Sequence, residues 1–134
     1  MRDKRVSAHD LGRLGERRAL WYFRLRGYRI VARNLRTVSG EIDLVVRRFQ
    51  TLAFVEVKTR QSRGAGAPHE AVDRDKQRRI VALAEEFLRR YDARECRIRF
   101  DVVSAFWDGR RLALTHYADA FRPMSDPVRP WKIR

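Results

Sequence analysis

Cysteine is almost absent from this chain, and long apolar runs are missing. The single cysteine, Cys96, excludes an internal disulfide and fits a reducing compartment, with ordinary packing as its expected role. No segment approaches the roughly 18 apolar residues of a membrane-spanning helix. The first ten residues, MRDKRVSAHD, lack the apolar stretch of a secretory signal. These absences predict a cytoplasmic protein that does not enter the membrane.

Acidic residues are also scarce, and this scarcity indicates the class of partner. The 134 residues carry 17 acidic and 31 basic side chains, which gives a formal net charge of +14. The three histidines are scattered and show no zinc-type spacing with cysteine. A surface this basic favours a polyanion, most often nucleic acid, and an anionic membrane is the competing interpretation.

Alternating helical and strand patterns predict one α/β domain. The expected elements are a helix from Ser7 or Asp10 to about residue 26, strands at 28–34, 41–46 and 52–58, a helix at about 73–91, and strands at 98–107 and 111–117. The third strand is apolar on both faces for most of its length, which predicts a central position. The second helix forms a crossover, so the third and fourth strands should be parallel and the sheet mixed.

The faces of these elements can be assigned from periodicity. On the second strand, Ile42, Leu44 and Val46 should share one face, and Glu41, Asp43 and Val45 the other. Helical spacing assigns a wide apolar face to the first helix, made of Leu11, Leu14, Ala19, Leu20, Trp21, Phe23 and Leu25. Gly12 and Gly15 would let that helix approach another element closely.

A few acidic and basic side chains interrupt the apolar strands. Glu56 and Lys58 lie two residues apart at the end of the third strand and therefore on the same face. A hairpin between the second and third strands would bring Asp43 close to Glu56. Two neighbouring carboxylates are unfavourable without a cation, and Mg²⁺ prefers oxygen ligands. Lys58 could then orient a water or neutralise charge on a phosphate.

A third acid, Glu16, falls on the line of the first helix that should face the sheet. A carboxylate in an apolar stripe needs a partner. Each residue also has an ordinary structural explanation. Glu56 and Lys58 could form a surface salt bridge, and Glu16 could pair with Arg13 or Arg17. Glu41 could simply lie at the solvated start of its strand. Three acids and a lysine from three consecutive elements form a more specific pattern than any one of them.

Three runs carry a family resemblance: LGxxGExxA over 11–19, GEIDLV over 40–45 and FVEVKTR over 54–60. They resemble the YraN family of small bacterial proteins, which are similar to the PD-(D/E)XK nuclease superfamily and, within it, to archaeal Holliday-junction resolvases. The match extends from about residue 11 to ADAF at 118–121. The D-x12-E-x-K core corresponds to Asp43, Glu56 and Lys58, and Ile42 stands where many superfamily members have proline.

This resemblance implies a restriction-endonuclease-like α/β core, with a central mixed five-stranded sheet flanked by helices. Residues 1–121 would form the nuclease-like domain, and 122–134 a basic, proline-rich C-terminal tail. The implied activity is Mg²⁺- or Mn²⁺-dependent hydrolysis of phosphodiester bonds in DNA, including branched or junction DNA. Resolvase-like relatives also suggest a homodimer.

The resemblance also assigns roles to individual residues. Asp43, Glu56, Glu16 and the Val57 carbonyl would hold the metal, while Lys58 positions the attacking water. Lys76 and Gln77 match a Lys-Gln pair near the family's active site, with Gln77 in the catalytic set. Phosphate contacts are expected from Arg47, Arg48, Arg60, Arg63 and Lys76, with a solvated basic face as the alternative for each arginine.

Two further function classes compete with the nuclease. One is a nucleic-acid-binding protein that has the nuclease fold without catalysis, although the intact motif at Asp43, Glu56 and Lys58 speaks against it. The other is a basic adaptor at a membrane surface, and the lack of a long basic amphipathic segment speaks against that. The nuclease is therefore the preferred hypothesis.

Overall fold

The structure, a computed structural model, describes residues 6–61 and 72–123. Its elements follow the predicted order: α1 (Ala8–Leu25), β1 (Arg29–Thr37), β2 (Gly40–Arg48), β3 (Thr51–Arg60), α2 (Arg74–Leu88), β4 (Arg97–Trp107) and β5 (Leu112–Phe121). Arg63 and residues 124–134 of the expected tail lie outside the described residues. No helix in the described ranges is long and apolar enough to cross a membrane.

The five strands form one mixed sheet in the order β1-β2-β3-β4-β5. Neighbouring strands are antiparallel except β3 and β4, which are parallel, as the crossover predicts. One hydrophobic cluster joins α2 to the sheet and a second joins α1 to it, and the α2 cluster includes the buried Cys96. This architecture confirms the predicted α/β class and is consistent with a restriction-endonuclease-like core.

Capping residues set the helix ends where the sequence places them. The Ser7 hydroxyl accepts from the Asp10 N–H at 3.1 Å, and the Asp73 carboxylate accepts from the Lys76 N–H at 2.8 Å. Gly27 follows α1 with a φ of +84°, which glycine adopts without strain. The α2 helix ends three residues before the predicted Tyr91, because i→i−3 bonds from the N–H groups of Arg89 and Arg90 tighten its last turn.

The predicted buried face of α1 is wrong at two positions. Trp21 is 51% exposed and Leu25 is 79% exposed. Each follows a fully buried residue, Ala19 or Phe23, by two positions. Two residues correspond to about 200° around an α-helix, so both side chains point away from the sheet.

The predicted face of β2 is wrong at Ile42. Ile42 packs in the α2 cluster, whereas Leu44 and Val46 pack in the α1 cluster. The ladder between β2 and β3 runs only from the Leu44–Val55 pair to the Arg48–Thr51 pair. Alternation of faces therefore fails at Asp43, where β2 leaves β3.

Gly15 lets α1 lie directly against the sheet, as predicted, but Gly12 has no such role. A methyl group at Gly15 would collide with the Thr59 hydroxyl and touch the Ala105 side chain, whereas nothing lies within 4 Å at Gly12. We expect Gly15→Ala to lower the free energy of unfolding by ~1–2 kcal/mol. Gly12→Ala should raise it by up to ~1 kcal/mol, because alanine favours the helix.

Urea denaturation of the two variants measures this difference, and each serves as the control for the other. Equal effects of the two substitutions would contradict the close packing of α1 at Gly15.

Candidate active site

The predicted acids meet where β2 and β3 separate. Oδ2 of Asp43 accepts a hydrogen bond from the backbone N–H of Val57 at 2.7 Å. In a continuing ladder that N–H would bond to backbone, but the last ladder pair is Leu44–Val55. The carboxylate of Asp43 is thereby fixed next to the strand segment that carries Glu56.

Glu56 is buried near the end of the central strand, with 6% of its surface exposed. Its Oε1 accepts from the Lys76 ammonium at 2.5 Å. Lys76 reaches this position because Asp73 caps α2 and places Lys76 in the first helical turn. The pair joins a buried carboxylate to a half-buried ammonium, so the buried charge of Glu56 has a partner.

The pKa values indicate that the site is short of positive charge at Asp43. Burial raises the pKa of Asp43 to about 8, assisted by the charge of Glu56 and by the Glu16 carboxyl, which repels it and hydrogen-bonds to it. The Val57 N–H opposes this shift only in part. Burial also raises the pKa of Glu56, while Lys76 and Lys58 lower it.

Most predicted members of the acid site are brought together. Glu16 lies against Asp43, and the charge of Lys58 acts on Glu56 from the same strand. We call Glu16, Asp43, Glu56 and Lys58, together with Lys76, the acid site. Lys76 was expected on phosphate, and here it bonds to Glu56 instead. Sequence spacing gave no signal for this contact, because the two residues are 20 positions apart.

The Gln77 side chain bonds to the backbone just before α2. Its side-chain Nε2 donates to the Val72 carbonyl at 2.8 Å and so closes the turn that leads into α2. The catalytic role of Gln77 stays a prediction. Its contact orients the start of the helix that carries Lys76.

The predicted arginine contacts are dispersed. Arg47 donates to the Tyr91 hydroxyl at 3.0 Å, and Arg48 donates to the Arg26 carbonyl at 3.0 Å. Both follow Asp43 by at least four strand residues, about 13 Å, so they lie away from the acid site. Arg60, two residues beyond Lys58, is half-buried on β3 and remains near it.

Across residues 6–61 and 72–123, no three His, Cys, Asp or Glu side chains are arranged to hold a metal ion. The Glu56 carboxylate is turned to Lys76, which supplies the positive charge there. The donor set still fits a hard divalent cation: the ligands are oxygens, and the raised pKa of Asp43 and of Glu56 shows that added positive charge would stabilise their ionised forms.

Asp43 should make stability fall with pH in metal-free protein. Its folded pKa of about 8 exceeds the ordinary 3.8, so between these values the folded state keeps a proton that the unfolded state releases. The stabilisation present at low pH is therefore lost as pH rises from about 4 to about 8. We expect Asp43→Asn to be more stable than the wild type by ~2 kcal/mol at pH 8. This is less than the full shift would give at ~1.4 kcal/mol per pKa unit, because the carboxyl is partly solvated.

Thermal unfolding in EDTA between pH 5 and pH 8 measures this effect. The matched control is Asp75→Asn, because Asp75 is exposed and forms an exposed ion pair with Arg78. Parallel pH profiles for the wild type and Asp43→Asn would show that Asp43 is not desolvated as described.

These features define a class: a small α/β protein with a restriction-endonuclease-like core and acids gathered where two central strands diverge. Residues 15–105 match the model of the "Uncharacterised protein family UPF0102". The chain belongs to this family, which confirms the recognition of a small bacterial family from the sequence.

Relatives of the same description come from different bacteria. A UPF0102 protein of Caldicellulosiruptor saccharolyticus is 41% identical over 109 residues, covering 81% of this chain and 92% of its own. One of Rhizorhabdus wittichii is 46% identical over 101 residues, with 75% and 84% covered. One of Symbiobacterium thermophilum is 48% identical over 93 residues, with 69% and 79% covered. The part of the chain that the family model matches, residues 15–105, includes the acid site from Glu16 to Lys76.

Proposed function

We propose that this protein is a metal-dependent endonuclease that hydrolyses phosphodiester bonds in DNA. The observation that carries the proposal is the fixed position of Asp43, bonded to the Val57 N–H beside the buried Glu56. Two lysines, Lys58 and Lys76, act on the same carboxylate. Carboxylates and an ammonium at the end of a buried strand are suited to phosphoryl chemistry, and the net charge of +14 suits a polyanionic substrate.

The metal ligands in this proposal are the carboxylates of Asp43 and Glu56, with Glu16 and the Val57 carbonyl assisting. When bound, Mg²⁺ or Mn²⁺ lowers the pKa of a coordinated water and stabilises the charge that develops on the phosphate. These ligands come from β2, β3 and α1, so the folded sheet is needed to assemble them.

The chain's own basic residues supply the remaining functions. Lys58 lies on the strand face of Glu56, where its ammonium neutralises phosphate charge and orients the attacking water. Lys76 lowers the pKa of Glu56 and so offsets part of the effect of burial, which favours the ionised carboxylate that a cation would need. Burial of Glu56 limits competing water at the reacting centre.

A second candidate function is nucleic-acid binding without catalysis. One observation favours it: the Lys76 ammonium already occupies the Glu56 carboxylate that a metal would need. Both candidates act on nucleic acid in the cytoplasm, with DNA as the preferred partner and no membrane role. They differ in whether a metal displaces Lys76 from Glu56.

A cleavage assay separates the two candidates. Supercoiled, branched, flapped and single-stranded DNA are each incubated with Mg²⁺, Mn²⁺ or EDTA. The nuclease cuts at least one of them in either metal and none in EDTA. Binding without any metal-dependent product would instead favour the second candidate. Under both, affinity should fall steeply between about 50 and 200 mM salt, because phosphate contacts release counterions.

A further inference from the structure

The solvent-exposed side of α1 carries a regular row of cationic and aromatic side chains. Arg13, Arg17, Trp21 and Arg24 follow one another at intervals of four, four and three residues, and all four are exposed. Residues three and four apart lie on one face of a helix, so these side chains form a continuous row about 17 Å long. We call these four residues the arginine–tryptophan row.

Trp21 is the unusual member of the row. Half of its surface is exposed, although its hydrophobic ring would normally be covered. The Arg24 guanidinium lies 5.2 Å from the centroid of the Trp21 ring, which is a cation–π distance. A solvent-exposed aromatic ring beside arginines is a surface suited to stacking and to negative charge.

The charges of the row are available to a ligand. Within residues 6–61 and 72–123, neither Arg13 nor Arg17 forms an ion pair. Glu16, which faces Asp43 in the acid site, lies one position before Arg17 and about 100° around the helix from it, so the row runs about a quarter turn around α1 from the side that reaches the acid site. A strand that leaves the acid site and passes over this side of α1 would meet three exposed arginines and one exposed aromatic ring.

We infer that the arginine–tryptophan row binds an unpaired nucleic-acid strand that leads away from the acid site. This inference rests on the proposed function and narrows its substrate to nucleic acid with a single-stranded segment. In a duplex the base faces are stacked on one another, so an exposed tryptophan gains little, whereas an unpaired base can stack on it. The row's length of about 17 Å gives room for a few nucleotides of one unpaired strand.

Fluorescence anisotropy in EDTA tests the inference without cleavage. The probes are a labelled single-stranded 12-mer and a blunt duplex of the same sequence. Trp21→Ala should weaken binding of the single strand about tenfold and leave the duplex within about twofold, because base–aromatic stacking is lost. Trp21→Phe should stay within about threefold of the wild type, since phenylalanine keeps an aromatic face.

A variant that lacks two arginines of the row gives a second test. For single-strand binding, the logarithm of the association constant falls linearly with the logarithm of the salt concentration. The double variant Arg13→Ala, Arg17→Ala should make that slope less steep by about 1.4, which is 0.7 for each lost phosphate contact. The control is Arg94→Ala, because Arg94 is exposed in the connection after α2 and its charge is already paired with Asp92. That variant should bind like the wild type, and circular dichroism verifies the fold of every variant.

The outcomes distinguish this inference from the proposed function. Metal-dependent cleavage with unchanged single-strand affinity in Trp21→Ala would overturn the inference alone, and a protein-docking role for the row would give the same unchanged affinity. Equal losses on single strand and duplex in Trp21→Ala would also overturn it. If Trp21→Ala loses only single-strand affinity and the wild type cuts no DNA, strand binding by the row would be supported and the proposed nuclease activity rejected.

Discussion

Glu56→Gln should reduce metal-dependent DNA cleavage on the order of 10³-fold while leaving DNA affinity in EDTA within about threefold. Glutamine keeps the shape of Glu56 but lacks the charge that would hold a cation. The half-buried Lys76 also loses its carboxylate partner. Binding persists because the phosphate contacts of a chain with a net charge of +14 lie outside the buried strand end.

The measurement is the single-turnover rate of cleavage beside an anisotropy titration. The matched control is Glu85→Gln, because Glu85 is an exposed acid on α2 outside the acid site. That variant should cleave like the wild type. Equal losses in the Glu56 and Glu85 variants would show that net charge, and not the acid site, sets the rate.

Asp101→Ala should lower the free energy of unfolding by ~3–5 kcal/mol, which for a domain of this size lowers Tm by roughly 10–20 °C. Asp101 is fully buried. It accepts two bonds from Arg99, each 2.8 Å, one from His116 at 2.7 Å and one from the Asp119 N–H at 2.9 Å. Alanine would leave the Arg99 guanidinium largely buried without its counter-charge.

The same network predicts a pH dependence. Burial raises the pKa of Asp101, but bonds from His116, Arg99 and Asp119 outweigh burial and hold the pKa below 3.8. A depressed folded pKa contributes stability above the unfolded value, and this is lost as pH falls below about 4. The variant should lack that acid-sensitive component.

Urea denaturation of Asp101→Ala measures the loss. The control is Asp92→Ala, because Asp92 is exposed and forms an exposed ion pair with Arg94, so it should cost less than ~1 kcal/mol. A loss for Asp101→Ala as small as that of the control would show that the network contributes little to the fold.

Local sequence patterns were sufficient to predict most of the fold. Ser7, Asp73 and Gly27 mark helix ends by side-chain or backbone chemistry that acts over three or four residues. The parallel pairing of β3 and β4 followed from the crossover alone. Periodicity failed at Trp21 and at Ile42, because α1 turns its aromatic residue outward and β2 changes course at Asp43.

The acid site was predictable only in part. Asp43, Glu56 and Lys58 belong to a short motif on two adjacent strands, so their proximity follows from one hairpin. The bond from Lys76 to Glu56 depends on how α2 returns over the sheet after a long connection. Arg47 and Arg48 looked suitable from their charge, yet Tyr91 and the Arg26 carbonyl engage them elsewhere.

Anomalous diffraction from a crystal soaked in Mn²⁺ tests the central claim most directly. We expect an anomalous peak within about 2.2 Å of oxygens from both Asp43 and Glu56. The Lys76 ammonium should then be displaced from Glu56. The matched crystal of Glu56→Gln should show that peak greatly reduced. A wild-type crystal with Mn²⁺ bound elsewhere and Lys76 still on Glu56 would contradict a metal-dependent active site at this position.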